Sequence, residues 1–190
     1  RYLLATPMVQ VETLGAGGGS ICSAASGTLQ VGPASAGAEP GPVCYGRGGT
    51  VPTVTYAILI LGLLSAESDF AVGSFRLDRA GVEEALQKHV AGPLNCSIEE
   101  AAFDCWRVVN ANMTQAVRRT TAGKGIDPKD MVMLAYGGNG PAFAAIQAED
   151  LGITKVLVPK ASPTFSALGT LIDQHRLVTA EVDNRRRLHR

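Results

Sequence analysis

The chain has 190 residues, 46% hydrophobic and 18% charged, with 17 Lys+Arg balanced by 17 Asp+Glu. This length and apolar content suffice for a buried core and exclude wholesale disorder. Zero formal charge provides no global field for nucleic acid or an anionic membrane surface. The terminal arginines Arg185, Arg186, Arg187 and Arg190 read as a solvated tail or a truncation point rather than a nucleic-acid arm. The four cysteines are widely spaced, with no CxxC pair, so reduced cytosolic thiols are expected rather than structural zinc or a thioredoxin-like site. Cys44 lies near Arg47 in a Gly-rich stretch, but without an identifiable base it reads as inert.

In chain order, RYLLATPMVQVETLG carries neither an initiating Met nor a signal-peptide cleavage pattern, and is expected to begin partway through a longer gene product. MVQVETL alternates apolar and polar as a half-buried strand does. Eleven of the 22 glycines then fall between Gly15 and Gly49, with Pro33, Pro40 and Pro42. Apolar residues punctuate this stretch and GTLQVGP resembles a hairpin arm, so an ordered functional loop system is preferred over a flexible connector. The longest apolar run, Ala57 to Leu64, is far short of the roughly 20 residues of a membrane span. It reads as a buried strand or a helix turn.

Beyond Gly62 the pattern is helical. Asp78 can cap a helix bearing Val82, Leu86 and Val90 on its apolar side, with Gly92-Pro93 as its stop. Ser97 and Glu100 form a capping box ahead of a long helix whose stripe is Ile98, Ala102, Cys105, Val109, Met113 and Ala116. Trp106 is assigned to core filling. Asn110, Asn112 and Thr114 are polar neighbours that either face a ligand or occupy ordinary solvated or packed positions. A strand (Met131 to Ala135), the loop Tyr136-Gly137-Gly138-Asn139-Gly140, a helix opened by Pro141 and stopped by Gly152, and a strand (Lys155 to Val158) make a βαβ unit. A loop over Ala161 to Thr164, a short helix from Phe165 to Gly169 and a strand over Leu177 to Asp183 complete an α/β chain.

Two glycine loops are the candidates for chemistry. YGGNGP sits between strand and helix, where close backbone approach and unpaired N–H groups at a helix start can receive a phosphate or nucleoside; the alternative is a turn and nothing more. GAGGGS (Gly15 to Ser20) is either an anion-binding nest or a flexible turn. Neither a GxGxxG fingerprint, a Walker loop nor a GxSxG elbow is present. His89, His175 and His189 have no metal spacing, and Asp127, Asp130, Asp150 and Asp173 read as capping acids.

The blocks VETLGAGGGSI, VGPASAGAEPGPVCYGRGGTVPTVT, AYGGNGPAFAA and VLVPKASPTFSALG occur in order over about Val9 to Asp173. In this they resemble the hydantoinase A/5-oxoprolinase family, which includes the ATPase-type subunits of acetone and acetophenone carboxylases. The resemblance implies part of an actin/Hsp70/sugar-kinase-like ATPase fold, one lobe with a Gly-rich loop region. It divides the chain into loop and strand (1–64), helical plus βαβ nucleotide side (65–176), and strand with basic tail (177–190). It implies ATP and Mg²⁺ as cofactors, a small-molecule substrate, and activation of a lactam, cyclic imide or ketone as a phosphorylated species. The implied partners are a hydantoinase B-like subunit or domain and the upstream half of the same ATPase, in the cytoplasm, without nucleic acid or membrane. Gly137, Gly138, Asn139, Gly140 and Pro141 match the family's adenosine-side loop. Gly15, Gly17, Gly18, Gly19 and Ser20 match its Gly-rich loop near the nucleotide and substrate cleft.

Two departures stand out. The family's acidic phosphate motifs lie upstream of this region, and GRGGT (Gly46 to Thr50) lacks their preceding Asp, so the chain alone is expected to lack ATP turnover and its catalytic residues are unassigned. Tyr56 follows PTVT where the family usually has Asp, which removes an anionic ligand. A non-catalytic assembly or binding module derived from the family is the alternative.

Overall fold

The computed structural model describes residues 11–37, 39, 41–43, 48–65 and 79–172. The chain divides into two compact units, Arg1–Ile126 and Asp127–Arg190.

In the first unit, β1 (Ser20–Ser23) and β2 (Gln30–Ser35) form an antiparallel pair with an irregularity between Ser20 and Cys22. The GTLQVGP segment is thus the hairpin arm that its alternation predicts. On the other side of β1, Ile21 bridges Thr53, and Cys22 N donates to Pro52 O at 2.9 Å. The expected strand over MVQVETL does not extend into residues 11–14, which are irregular and exposed; its first three residues lie outside the described set. Alternation is necessary for a half-buried strand but not sufficient, because a partner must supply the ladder.

The apolar run resolves as α1 (Val54–Ile60), ended at Gly62 with φ of 70°. Every residue from Val54 to Leu59 is buried. A helix covered on all sides shows no 3.6 periodicity, which is why helix and strand could not be told apart from the sequence. Tyr56, Leu59 and Val82 form an apolar cluster against which Val43, Ile60 and Leu64 pack.

α2 (Arg79–Leu86) passes through a π-turn at Gln87–Ala91 into the short α3 (Gly92–Leu94). Val82, Leu86 and Val90 are fully buried, as the periodicity requires; Asp78, the expected cap, lies outside the described residues. Gly92-Pro93 is not the stop. Pro at a helix start costs no hydrogen bond, and the chain leaves the helix only at Asn95, in the left-handed region at φ 53°.

α4 (Ile98–Ala122) carries the complete capping box: Glu100 N donates to Ser97 Oγ (3.1 Å) and Ser97 N to Glu100 Oε2 (2.9 Å). Ala102, Cys105, Val109 and Ala116 of the expected stripe are buried, while Ile98 and Met113 are half-buried. Asn110 and Thr114 are buried as well, and Asn110 Nδ2 donates to Trp106 O at 2.9 Å. Trp106 is half-buried beside Phe103, with ring centroids 5.9 Å apart.

The second unit opens with a 3₁₀ turn (Pro128–Asp130). Asp127 caps it by accepting from Lys129 N, and pairs with Lys129 Nζ at 2.8 Å. β3 (Met133–Leu134) and β4 (Val156–Leu157) pair in parallel on either side of α5 (Gly140–Leu151), the expected βαβ arrangement with shorter strands. Gly152, at φ 71°, ends α5. A 3₁₀ turn (Ser162–Thr164) then leads into a helix over 165–172. The strand expected over Leu177 to Asp183 lies outside the described residues.

Candidate functional site

The turn over Gly15 to Ser20 is tied into the first unit by its own polar groups. Gly17 N donates to Ser20 Oγ (3.0 Å) and Ser20 N to Gly17 O (3.1 Å). The Gly18 carbonyl accepts twice, from Thr55 N (2.8 Å) and Thr55 Oγ1 (2.9 Å), which fastens the turn to the start of α1. Ala36 N donates to Gly19 O at 3.0 Å. A β-carbon on Gly15 would sit 3.2 Å from Pro33 Cβ, and one on Gly19 2.9 Å from Ser35 Oγ. Any side chain at these two positions would crowd β2.

A cleft of about 280 Å³ lies against this turn. Its apolar wall is Leu14, Val31 and Pro33, with Gly15 and Ala16 at the turn itself; the facing wall is Asn112, Gln115 and Arg119 of α4. Those three side chains stand at i, i+3 and i+7, so one face of the helix presents them together. Of these, only Asn112 was among the polar residues singled out from the sequence. Gln115 and Arg119 carry no motif, although their spacing from Asn112 was available. Asn110 and Thr114, on the opposite side, pack into the interior.

Tyr56 does not line this cleft. It is fully buried in the apolar cluster of α1, so its side chain is core here. Cys22 and Cys105 are also buried. Hydrogen bonding to Cys105, followed by burial, pushes the Cys22 thiol far above the ordinary thiol range, which favours the protonated, non-nucleophilic form. Cys44, His175 and His189 lie outside the described residues.

In the second unit, the loop Gly137 to Pro141 has a different construction. Gly137 is held at φ 88° by Ser162, whose carbonyl accepts from Gly137 N (2.8 Å) and whose hydroxyl donates to Gly137 O (3.1 Å). Tyr136 and Phe165 flank this clamp with ring centroids 5.3 Å apart. Asn139 is the N-cap residue of α5, and Pro141 falls in its first turn, where the missing N–H costs nothing. A β-carbon on Gly137 or Gly138 would meet nothing within 4 Å. The backbone of Gly138 therefore faces open space at the start of a 12-residue helix, in whose first turn Pro141 has no N–H and Ala142 N donates to Asn139 O at 3.0 Å.

The sequence model of the hydantoinase/oxoprolinase family matches residues 1–177 of this chain. The chain belongs to that family. It is 45% identical over 177 residues to the caprolactamase subunit alpha of Pseudomonas jessenii, covering 93% of this chain and 25% of that protein. To the acetophenone carboxylase gamma subunit of Aromatoleum aromaticum it is 40% identical over 174 residues, covering 90% and 23%. Among solved structures, the ATP-dependent caprolactamase from Pseudomonas jessenii superposes with a TM-score of 0.78 at 46% identity, over 86% of this chain and 24% of that one. The chain thus spans about a quarter of the length of these family members. Among the described residues of this hydantoinase/oxoprolinase chain, no helix is long and apolar enough to cross a membrane.

Proposed function

We propose that this chain is the nucleotide-side portion of a cytoplasmic ATP-dependent enzyme of the hydantoinase/oxoprolinase family, with an actin/Hsp70/sugar-kinase-like fold. Its reaction class is hydrolysis of a lactam or cyclic imide, or the related carboxylation of a ketone. The observation that carries the reading is the open space in front of Gly138 at the start of α5, with Gly137 clamped behind it by Ser162. A flat nucleoside can approach such a backbone closely, because glycine presents no side chain there, and the positive end of the helix dipole favours its oxygens. In this reading Gly137, Gly138, Asn139, Gly140 and Pro141 receive the adenosine side. Gly15, Gly17, Gly18, Gly19 and Ser20 form a second loop toward the nucleotide and substrate. Within that loop Ser20 is a positioning residue, its Oγ already holding Gly17 N.

Bound ATP would supply the phosphoryl group that activates a poorly electrophilic carbonyl. This chain's residues would bind and orient it. Mg²⁺ needs only one or two carboxylates beside the ATP phosphates, and among the described residues no three His, Cys, Asp or Glu stand together as a metal-holding group. The acids for that role are assigned to the upstream half of the same ATPase. The exposed parallel pair Leu134 and Leu157 supports such a partner, since parallel sheets are normally covered on both faces. A hydantoinase B-like subunit or domain would process the activated substrate.

The test is a calorimetric titration of the purified chain with Mg-ATP and, separately, adenosine. Binding that is lost in Gly138→Leu is expected. No binding by a folded sample would favour the second reading, a non-catalytic assembly module, which the burial of Tyr56, where the resemblance implies Asp, supports.

A further inference from the structure

The cleft between the Gly15 turn and α4 has a chemistry of its own. One wall is apolar, through Leu14, Val31 and Pro33. The other carries two amides, Asn112 and Gln115, and the guanidinium of Arg119. Val31 is buried at 8% exposure and Pro33 packs on Gly15, so the apolar wall is built on β2 and is fixed. Among the described residues, no carboxylate lines the cleft and no acid pairs with Arg119. About 280 Å³ suits a small organic molecule and is near the lower end of ligand pockets.

We propose that this cleft binds a small organic oxyanion, its planar or tetrahedral anionic group held by the Arg119 fork and its apolar body laid against Leu14, Val31 and Pro33. A guanidinium presents parallel donors that match two oxygens of one anion. Gln115 and Asn112, one and two turns earlier on the same face, supply amide donors and acceptors for the remaining polar atoms. An amine or other cation is disfavoured, since the cleft offers it one like charge and no compensating acid. Arg119 also lies in the last turn of α4, where a cation favours the helix end. That structural role needs only charge, whereas oxyanion recognition needs the fork, and the two can be separated. The site uses residues of the first unit alone; it shares Gly15 with the loop placed toward nucleotide and substrate, and is separate from the adenosine-side loop at Gly138.

The experiment is a two-dimensional NMR titration of the 190-residue chain with benzoate, phenyl phosphate and, as the neutral control, benzyl alcohol. Both anions should shift the amides of Gly15, Ala16 and the side chains of Asn112 and Gln115, and the tighter of the two identifies carboxylate or phosphate as the natural group. Arg119→Gln should weaken anion binding about tenfold. Arg119→Lys should leave the melting temperature unchanged yet still weaken binding several-fold. Leu14→Glu, at a position 38% exposed, should abolish anion binding by placing a carboxylate in the cleft. Equal binding of benzyl alcohol, undiminished binding in Arg119→Gln, or no shifts at these residues at millimolar anion would overturn the proposal. Adenosine binding at the other loop would be unaffected by any of these results.

Discussion

Gly15 and Gly138 stand in loops of similar composition, yet a β-carbon added to each would have different surroundings. On Gly15 it would press on Pro33, while on Gly138 it would enter open space. Around the first loop the same pattern continues, with Gly19 against Ser35 and Gly32 against the Gly15 carbonyl. Here glycine serves the packing of turn on hairpin, and the polar groups at Gly17, Gly18 and Ser20 are engaged within the unit. Around the second loop, packing is delegated to Ser162, which holds Gly137 from behind and leaves the front of Gly138 uncovered. A glycine-rich sequence can thus mean either a tight joint or an open backbone, and only the neighbours distinguish them.

The sharpest way to break that contrast is Gly32→Ala. Gly32 has φ 71°, and a β-carbon there would stand 2.8 Å from the Gly15 carbonyl oxygen. Left-handed strain and overpacking together predict roughly 2–5 kcal/mol of destabilisation. Trp106 is the one tryptophan in the chain and belongs to the first unit, so its fluorescence during urea unfolding reads that unit directly. A midpoint unchanged from wild type would mean that the turn does not pack on β2 as described.

Smaller effects follow from the single side chains that tie each loop down. Thr55→Val removes one of two bonds to the Gly18 carbonyl and should cost about 1 kcal/mol in the same unfolding measurement. Ser162→Ala removes the hydroxyl bond to Gly137 O, again about 1 kcal/mol. It should also speed hydrogen exchange at Gly137 N–H, whereas the Trp106 signal should not change.

A pH titration adds a weaker effect confined to the first unit. Bonds from Ser97 hold the Glu100 carboxyl below its ordinary range. A depressed carboxylate contributes stability that is complete above the ordinary Glu pKa, and that is lost as pH falls through the lower folded value. Glu100→Gln should remove that acid-side dependence without changing the fold. The smallest effect belongs to Gly138→Ala, expected within about 0.5 kcal/mol of wild type because the added methyl touches nothing. A large loss there would erase the distinction between the loops.

Local signals with a strong physical cause were legible in the chain order. The Ser97–Glu100 box, the Val82/Leu86/Val90 stripe, Pro141 at the start of α5 and Gly152 at its end each act over four or five residues, and each stands where the sequence puts it. Signals that need a distant partner were not. MVQVETL reads as an alternating strand, yet its described part, residues 11–14, has no ladder; α1 is buried on all sides and so shows no period, and Gly92-Pro93 begins a turn rather than ending one.

Family membership was equally readable, because glycines and prolines at fixed intervals survive wherever backbone geometry is constrained. What the tertiary structure decided is which of those glycines is enclosed, that Tyr56 is core, and that Gln115 and Arg119 join Asn112 opposite the Gly15 turn. Each depends on contacts between residues far apart in the chain. Periodicity and capping report only a residue's nearest neighbours, so burial across α4 and β2 had to come from packing.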